Sequence, residues 1–590
     1  MTATVYFCCM ARPQPWPTAV LWPPAPKWVD VAMLSLVAAV GYVVIHAGVG
    51  WGTPIASNVH VGTSPWNLPW YAALSTLRMA AAYVLSLVFS VAYARAAANS
   101  RVAERFLIPL LDILQSVPIL SFMPGVVLGL AALFHGRVIG LELAAVLLIF
   151  TSQAWNLAFG FHQALHSIPT ELSEAATVYR LGRWRRFTRL ELPSGVISLV
   201  ANSMMSWAGG WFFLMASEQF TLGSDSYRLP GLGSYLAAAA ERGDVAALVL
   251  GLIVLVTVIV LLDQVLWRPL VEWSDRFKLE QAGGPPPQAS WMLEALRGSA
   301  LIAGLRDRVF RPFLRWMDRR LSPPPVPLGA SVAPPPPRSR SPLSVAARMG
   351  AAVALLALVV WGSVAAARVL TTLDGAAWGH ILIASLATLA RTTLALVIGA
   401  AWTIPLGVRI GLDPVWSRRL QPVAQIAASI PATALFPALL LALLALPGGL
   451  NIAAVALMLL GTQWYVLFNV IAGAMSIPSD LKEAAVIYRL TRWRRWKTLI
   501  LPAIFPYVVT GMITATGGAW NASIVAEYVT FGGQNRSTTG LGAVIAAAAD
   551  QRDFATLLAA TFVMAAIVIA INRLVWRRLY ALAESRYRLA

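Results

Sequence analysis

Apolar runs of about 20 residues recur along this chain, and they constrain its fold more than any other feature. A stretch of that length is what a helix needs to cross the hydrocarbon core of a bilayer. The runs fall at 31–50, 72–94, 107–134, 139–163, 195–222 and 245–267, then at 346–368, 382–408, 422–446, 452–475, 503–530 and 554–576. Those at 195–222 and 503–530 are the least uniform, which leaves a broken or partly re-entrant course open for each. Of the 590 residues, 58% are hydrophobic and 12% charged. A soluble domain carries roughly 25% charge, so an ordinary soluble enzyme, a disordered chain and a coiled coil are excluded.

The charge is also lopsided. There are 45 Lys and Arg against 26 Asp and Glu, a net +19. Such an excess fits either a nucleic-acid surface or the cytoplasmic loops of a membrane protein. Position decides. With the N-terminus placed in the cytoplasm, the outward segments hold only Arg137, Arg228, Arg242, Arg368, Arg536 and Arg552. Arg78 and Arg391 fall inside spans, where they are expected to snorkel toward the outer head groups. The other basic residues face inward, so both termini are expected in the cytoplasm and no nucleic-acid partner is needed. Adjacent Cys8 and Cys9 give neither a disulfide framework nor a zinc spacing. The first apolar run reads as a retained span rather than a cleavable signal.

The chain is a tandem repeat. Segment 167–193, SIPTELSEAATVYRLGRWRRFTRLELP, matches 476–502, SIPSDLKEAAVIYRLTRWRRWKTLILP, at 17 of 27 positions. The offset of 309 persists downstream: Trp211 pairs with Trp520, Glu218 with Glu527, Gly231-Leu232-Gly233 with Gly540-Leu541-Gly542, and Asp244 with Asp553. Trp267-Arg268 likewise recurs as Trp576-Arg577. Both copies keep one orientation, which predicts an all-α polytopic protein of two tandem six-span repeats related by a pseudo-two-fold about the membrane normal. The expected divisions are a cytoplasmic N-terminal segment 1–30, a first membrane domain 31–280, a basic linker 281–345 and a second membrane domain 346–590. Proline runs at 285–287, 323–325 and 334–337 favour extended linker structure. Between them, 291–321 mixes tryptophans and leucines with arginines, as a helix on the inner leaflet would.

The repeated cytoplasmic loop carries the most information. Pro169 and Pro478 suit a helix start, Glu174-Ala175-Ala176 and Glu483-Ala484-Ala485 follow, and a basic run leads through Leu192-Pro193 or Leu501-Pro502 into the next span. Lipid anchoring explains the arginines but not the Glu-Ala-Ala surface at fixed spacing. The motif resembles the EAA loop of permease subunits of bacterial binding-protein-dependent ABC importers, and its recurrence resembles a fused pair of type I permease domains. The resemblance implies that Glu174, Ala175, Ala176 and Gly182 dock one ATPase subunit, and Glu483, Ala484 and Ala485 another. The loop glycine is Gly182 in the first copy and Thr491 in the second, which leaves the second turn's geometry open.

GGWFFLMASE at 209–218, the Gly-Leu-Gly triplets, Asp244 and Asp553, and the ends DQVLWRPL and NRLVWRRL are similar to nitrate/sulfonate/taurine-type permeases. That implies a small oxyanion or sulfonate-like substrate, bicarbonate included. Fused permeases for ferric iron or thiamine are the alternative, and an ion-coupled secondary transporter the more distant one. The sequence holds no phosphate-binding G-x-x-x-x-G-K-[ST] loop, so ATP and Mg are expected on the partner ATPase pair and no catalysis in this chain. A substrate-binding protein outside and membrane lipids complete the implied partners. The localisation implied is the bacterial inner membrane. The six histidines read as scattered, with no metal-ligand cluster among them and no metal site expected, and His162 reads as an internal hydrogen-bonding group rather than a ligand.

Polar groups inside spans are costly and often functional. Candidates for the translocation path are Gln153, Asn156, Trp207, Trp211 and Glu218 in the first half. Their second-half counterparts are Gln463, Asn469, Trp520, Asn521 and Glu527. The alternative for each is interhelical hydrogen bonding or packing. Arg228 and Arg536, in the outer loops, are placed to draw in an anion or to meet the donor protein. Ser116-Val117-Pro118 and Ser429-Ile430-Pro431 mark a helix start or bend near the cytoplasmic end of the third span of each half.

Overall fold

The computed structural model describes residues 27–55, 61–222, 225–277, 290–321, 342–531 and 534–586. Cys8, Cys9 and the three linker proline runs lie outside the described residues. The first half runs α1 (Lys27–Trp51), α2 (Leu68–Ala98), α3 (Arg101–Ser116), α4 (Met123–Leu133), α5 (Val138–His166), α6 (Thr170–Val178), α7 (Arg183–Arg186) and α8 (Leu192–Ser217). A hairpin of β1 (Gln219–Leu222) and β2 (Asp225–Arg228) follows, then α9 (Leu232–Glu241), α10 (Val245–Leu262) and α11 (Arg268–Asp275). The linker contributes α12 (Trp291–Gly298), α13 (Ala300–Leu305) and α14 (Arg311–Leu321).

The second half repeats the order. It comprises α15 (Pro342–Leu370), α16 (Gly375–Leu412), α17 (Pro414–Ser429), α18 (Ala432–Leu443), α19 (Gly449–Met475), α20 (Ser479–Ile487), α21 (Arg492–Arg495) and α22 (Leu501–Ala526). Then come β3 (Tyr528–Phe531), β4 (Gln534–Ser537), α23 (Leu541–Asp550), α24 (Phe554–Ile571) and α25 (Arg577–Arg586).

Among the described residues, eight helices are long and apolar enough to cross a membrane, or nine if one bent pair counts as a span. Of the twelve apolar runs, 107–134, 195–222 and 346–368 are not among the eight, and 422–446 is the bent pair. The run 107–134 divides into α3 and α4, and 422–446 into α17 and α18, which meet at 83°. Local chemistry explains the break. Val117 and Ile430 each precede a proline, whose ring bars the helical region to the residue before it. Both are extended, at φ −79°, ψ 124° and φ −75°, ψ 118°.

The runs at 195–222 and 503–530 differ from expectation in the opposite sense. Each is one unbroken helix ending at Ser217 or Ala526, and the remainder forms an antiparallel hairpin. Gln219 pairs with Arg228 in one and Tyr528 with Ser537 in the other. These hairpins are an addition to the all-α expectation. The repeated aspartates have a structural role: Asp244 and Asp553 accept the backbone N–H of Ala247 and Thr556 and so cap α10 and α24. The residue before each, Gly243 or Arg552, turns the chain in the left-handed region.

The chain forms two compact units. One comprises 1–46, 168–200 and 262–328. Within it, the linker helices are tied by Ser299 Oγ donating to Asp30 (2.6 Å) and the Ser290 N–H donating to Glu272 (2.5 Å). The other unit comprises 47–167, 201–261 and 329–590 and holds most of both repeats. Its helix pairs approach closely through small residues, as membrane bundles do. Ser90 on α2 donates to the Ala154 carbonyl of α5 at 2.8 Å. Its main core joins the halves, packing Leu120 and Ala216 with Trp520, Ile524 and Leu541.

Candidate functional site

The two Glu-Ala-Ala segments form matching short helices. In α6, Glu174 is exposed and Ala176 buried; in α20, Glu483 is exposed and Ala485 buried. Ala175 and Ala484 are half-buried between them. Each helix ends through the same left-handed residue, Arg180 at φ 48° and Arg489 at φ 47°. The N–H of Leu181 reaches back to the Ala176 carbonyl, and that of Leu490 to Ala485, both at 3.0 Å. This is a Schellman-type closure in which arginine takes the position glycine usually fills. Gly182 itself sits at φ −59°, ψ 159°, a conformation open to any residue. Thr491 therefore replaces it without altering the turn: the N–H of Arg186 and of Arg495 reach the Gly182 and Thr491 carbonyls at the same 2.8 Å. A π-helical turn, Phe187–Glu191 or Trp496–Ile500, then leads into α8 or α22.

The structure adds residues that the motif did not mark. Val178 and Tyr179 are 77% and 57% exposed, and their counterparts Ile487 and Tyr488 are 77% and 79% exposed. Large apolar side chains left bare on a polar loop are characteristic of a docking surface. The sequence signal was present, since both pairs stand at the repeat offset just after Glu-Ala-Ala. The loops differ at Trp184, whose indole N–H donates to Asp318 of linker helix α14 at 2.9 Å. Its counterpart Trp493 is 73% exposed.

At the opposite end of each fifth-span helix lies a buried ionic clamp. Glu218, 0% exposed, accepts from Ser75 Oγ (2.5 Å), Arg78 Nη1 (2.8 Å) and the Gly233 N–H (2.7 Å). Ser75 in turn accepts from the Leu232 N–H. The second half repeats this with Glu527, also 0% exposed, held by Thr388 (2.8 Å), Arg391 (2.9 Å) and the Gly542 N–H (2.9 Å). The Gly-Leu-Gly triplet is the turn that wraps the carboxylate. A Cβ on Gly231 would lie 2.3 Å from the Glu218 carboxyl carbon, and one on Gly540 2.1 Å from a Glu527 oxygen. Arg78 is thus not a snorkelling residue: it is 4% exposed and forks onto Glu142 at 2.6 and 2.8 Å. Desolvation makes an unpaired guanidinium costly, and two carboxylates within reach outweigh the pull of the head groups. Arg391 likewise turns inward, to Glu527, Asn451 and Thr538.

The halves interlock where the third run breaks. The Leu120 N–H, freed by the break before α4, donates to Asn521 of α22 at 3.3 Å. Thr433, at the start of α18, donates to the Phe212 carbonyl of α8 at 3.4 Å. Phe212 is the repeat counterpart of Asn521, and Leu120 that of Thr433, so one contact is the pseudo-symmetric image of the other.

Other polar residues of the spans mostly serve packing. Gln153 is buried, contacting Met79 and accepting from Ser86 and, through its carbonyl, from Ser206. Trp207 meets Tyr83 edge to face at 5.6 Å, and Trp211 and Trp520 are each 1% exposed. Gln463 is buried, while Asn469 donates to the carbonyl one turn earlier and Asn156 is half-buried. Arg228 is ion-paired with Glu241, so of the two outer-loop arginines Arg536 presents the more exposed charge.

Two tandem repeats of apolar helices, each with one short helical Glu-Ala-Ala loop and joined across broken third runs, define an all-α polytopic membrane permease. The chain belongs to the family of binding-protein-dependent transport system inner membrane components, which it matches over residues 86–267 and again over 399–589. It is 30% identical to a nitrate import permease protein of Leptolyngbya laminosa over 146 residues, 25% of this chain and 51% of that one. It is 28% identical to a bicarbonate transport system permease protein of Synechocystis over 189 residues, 32% and 64%. It is 25% identical to a taurine transport system permease protein of Escherichia coli over 200 residues, 34% and 68%. The aligned part of this chain thus spans between half and two thirds of the nitrate and bicarbonate relatives.

Proposed function

We propose that this chain is the membrane component of an ATP-driven importer of the bacterial inner membrane, with both termini cytoplasmic. Its two loops dock two separate ATPase subunits. ATP and Mg belong to those subunits, whose closure on ATP pulls the loops together and moves one half against the other. A substrate-binding protein delivers the solute from outside, and the substrate is a small oxyanion or sulfonate, the class carried by the nitrate, bicarbonate and taurine relatives.

One observation carries this reading. Two loops 309 positions apart share the same exposed glutamate, the same buried alanine and the same exposed apolar edge. The fixed ionic clamps support it from the other end, because each fifth-span helix is anchored to its outer turn and so transmits displacement of the loop along its length. Engagement of Glu218 and Glu527 by arginine also removes the repulsion that bare carboxylates would exert on an anion. The test replaces Glu174 and Glu483 by Ala, singly and together. The expected result is loss of ATPase co-purification and of substrate-stimulated hydrolysis, greatest in the double variant. Unchanged values for both measurements would refute the coupling.

A further inference from the structure

The histidines are less scattered than their spacing suggests. His162 and His166 stand one turn apart on the last turns of α5, and the fold brings Glu104 of α3 against them. Glu104 Oε1 lies 3.3 Å from His162 Nε2 and 3.2 Å from His166 Nε2. All three ligand atoms fall within 4.8 Å of one another. The i, i+4 spacing is the sequence signal, since it puts two imidazoles on one helix face; the carboxylate came from the tertiary fold.

The hydrogen-bonding chemistry of this cluster is incomplete. His166 Nδ1 lies 3.1 Å from the His162 carbonyl oxygen, which only accepts, so Nδ1 carries the hydrogen and Nε2 presents its lone pair. That lone pair faces a carboxylate oxygen, acceptor against acceptor. His162 Nε2 is buried, has no hydrogen-bond partner and faces the same oxygen. Two arrangements resolve the conflict: a second proton on His166 with neutral His162 donating from Nε2, or one metal ion bound by all three. Ring centroids only 4.4 Å apart oppose two imidazolium charges. A backbone carbonyl bonded to the outer ring nitrogen is the usual support of a metal-bound histidine. Zinc bonds of about 2.0–2.1 Å at tetrahedral angles give ligand–ligand edges of about 3.3 Å, which matches the two nitrogen–oxygen separations.

We infer that Glu104, His162 and His166 form a binding site for one divalent transition metal ion of the zinc class, with a fourth position left for water. Imidazole nitrogens select such an ion over magnesium or calcium. The ion ties α3 to the end of α5, four residues before the first coupling helix begins at Thr170. The second half has Ser417, Ile471 and Met475 at the equivalent positions, so the site is single and belongs to one half.

The test uses the full chain in detergent, carrying Cys8→Ser and Cys9→Ser so that thiols contribute nothing, and stripped with a chelator. Zinc titrated against a chromophoric competitor should bind at one equivalent per chain. His166→Ala and Glu104→Gln, both at partly exposed positions, should each weaken binding at least tenfold, and His162→Ala/His166→Ala should abolish it. Cobalt in place of zinc should give the intense visible bands of a four-coordinate site, absent in the double variant. Monodisperse elution establishes that each variant is folded. No zinc bound, or zinc bound equally by the parent and the double variant, would overturn the site and leave a protonated histidine–glutamate pair as the account.

Discussion

The two halves share a skeleton and differ in where they spend charge. In the first, Arg78 lies between two acids, Glu142 and Glu218; in the second, Arg391 meets one acid, Glu527, and the amide of Asn451. Glu142 and Asn451 occupy equivalent positions. The outer hairpins diverge in the same manner. The first ties Arg228 to Glu241, whereas in the second Tyr528 donates to Asp550 at 2.7 Å. Even the Glu-Ala-Ala loops, alike in backbone, differ: Trp184 is held by the linker, whereas Trp493 is exposed. Duplication thus preserved the anchored turn and the Glu-Ala-Ala helix in both halves. It let the neutralising partner vary wherever another donor or acceptor satisfied the same group.

The clamps give the largest test of that contrast. Arg78→Ala strands the buried Glu218 and the partly buried Glu142 and should destabilise the protein by about 3–5 kcal/mol. Arg391→Ala strands one and should cost less. Thermal unfolding in detergent measures both, and equal losses would break the comparison. Glu142→Gln should be mild, because it converts the first clamp to the neutral form of the second.

Next in size are the turns. Gly231→Ala and Gly540→Ala each push a methyl group into the clamped carboxylate, with an expected loss of about 1–3 kcal/mol by the same assay. An unchanged melting temperature in either would mean that the triplet does not wrap the acid tightly. A smaller effect is expected from Asn521→Leu, which removes the partner of the Leu120 N–H and should cost about 1 kcal/mol.

The smallest concerns pH. Burial and the bond to Asp550 push the Tyr528 hydroxyl above its ordinary value. A raised value in the folded state means that this contribution is fully present below about pH 10, the ordinary tyrosine value, and is lost as pH rises beyond it. Protection of the second hairpin's amides, taken relative to the base-catalysed intrinsic exchange rate, should therefore fall above about pH 10, and Tyr528→Phe should remove that fall. The first hairpin, tied by arginine, should show no such change.

Much of this architecture was legible in the sequence, and the exceptions share a cause. The repeat offset, the loop helices and the proline breaks are local or self-comparing signals, and each appeared where the pattern placed it; of the twelve apolar runs, eight are spanning helices among the described residues and a ninth is the bent pair. Arg78 was misread because hydropathy records only its own segment; its partners Glu142 and Glu218 lie 64 and 140 positions away. The Gly-Leu-Gly triplets and the two glutamates were both visible as repeats, but only the fold makes one the wrapping of the other. The turn at Thr491 needed backbone angles, which assigned the left-handed position to Arg489. The hairpins after Ser217 and Ala526 escaped notice because their first strands fall at the ends of apolar runs.

The central claim is that both loops present one kind of docking surface to an ATPase, and photo-crosslinking tests it most directly. A photoreactive amino acid placed at Val178, and separately at Ile487, in the complex assembled with its ATPase should form a crosslink to that subunit from each position. A control at Trp66, 91% exposed and distant in sequence from both loops, should form none. Crosslinks from neither loop position would contradict the account, and a crosslink from only one would contradict the equivalence of the two halves on which it rests.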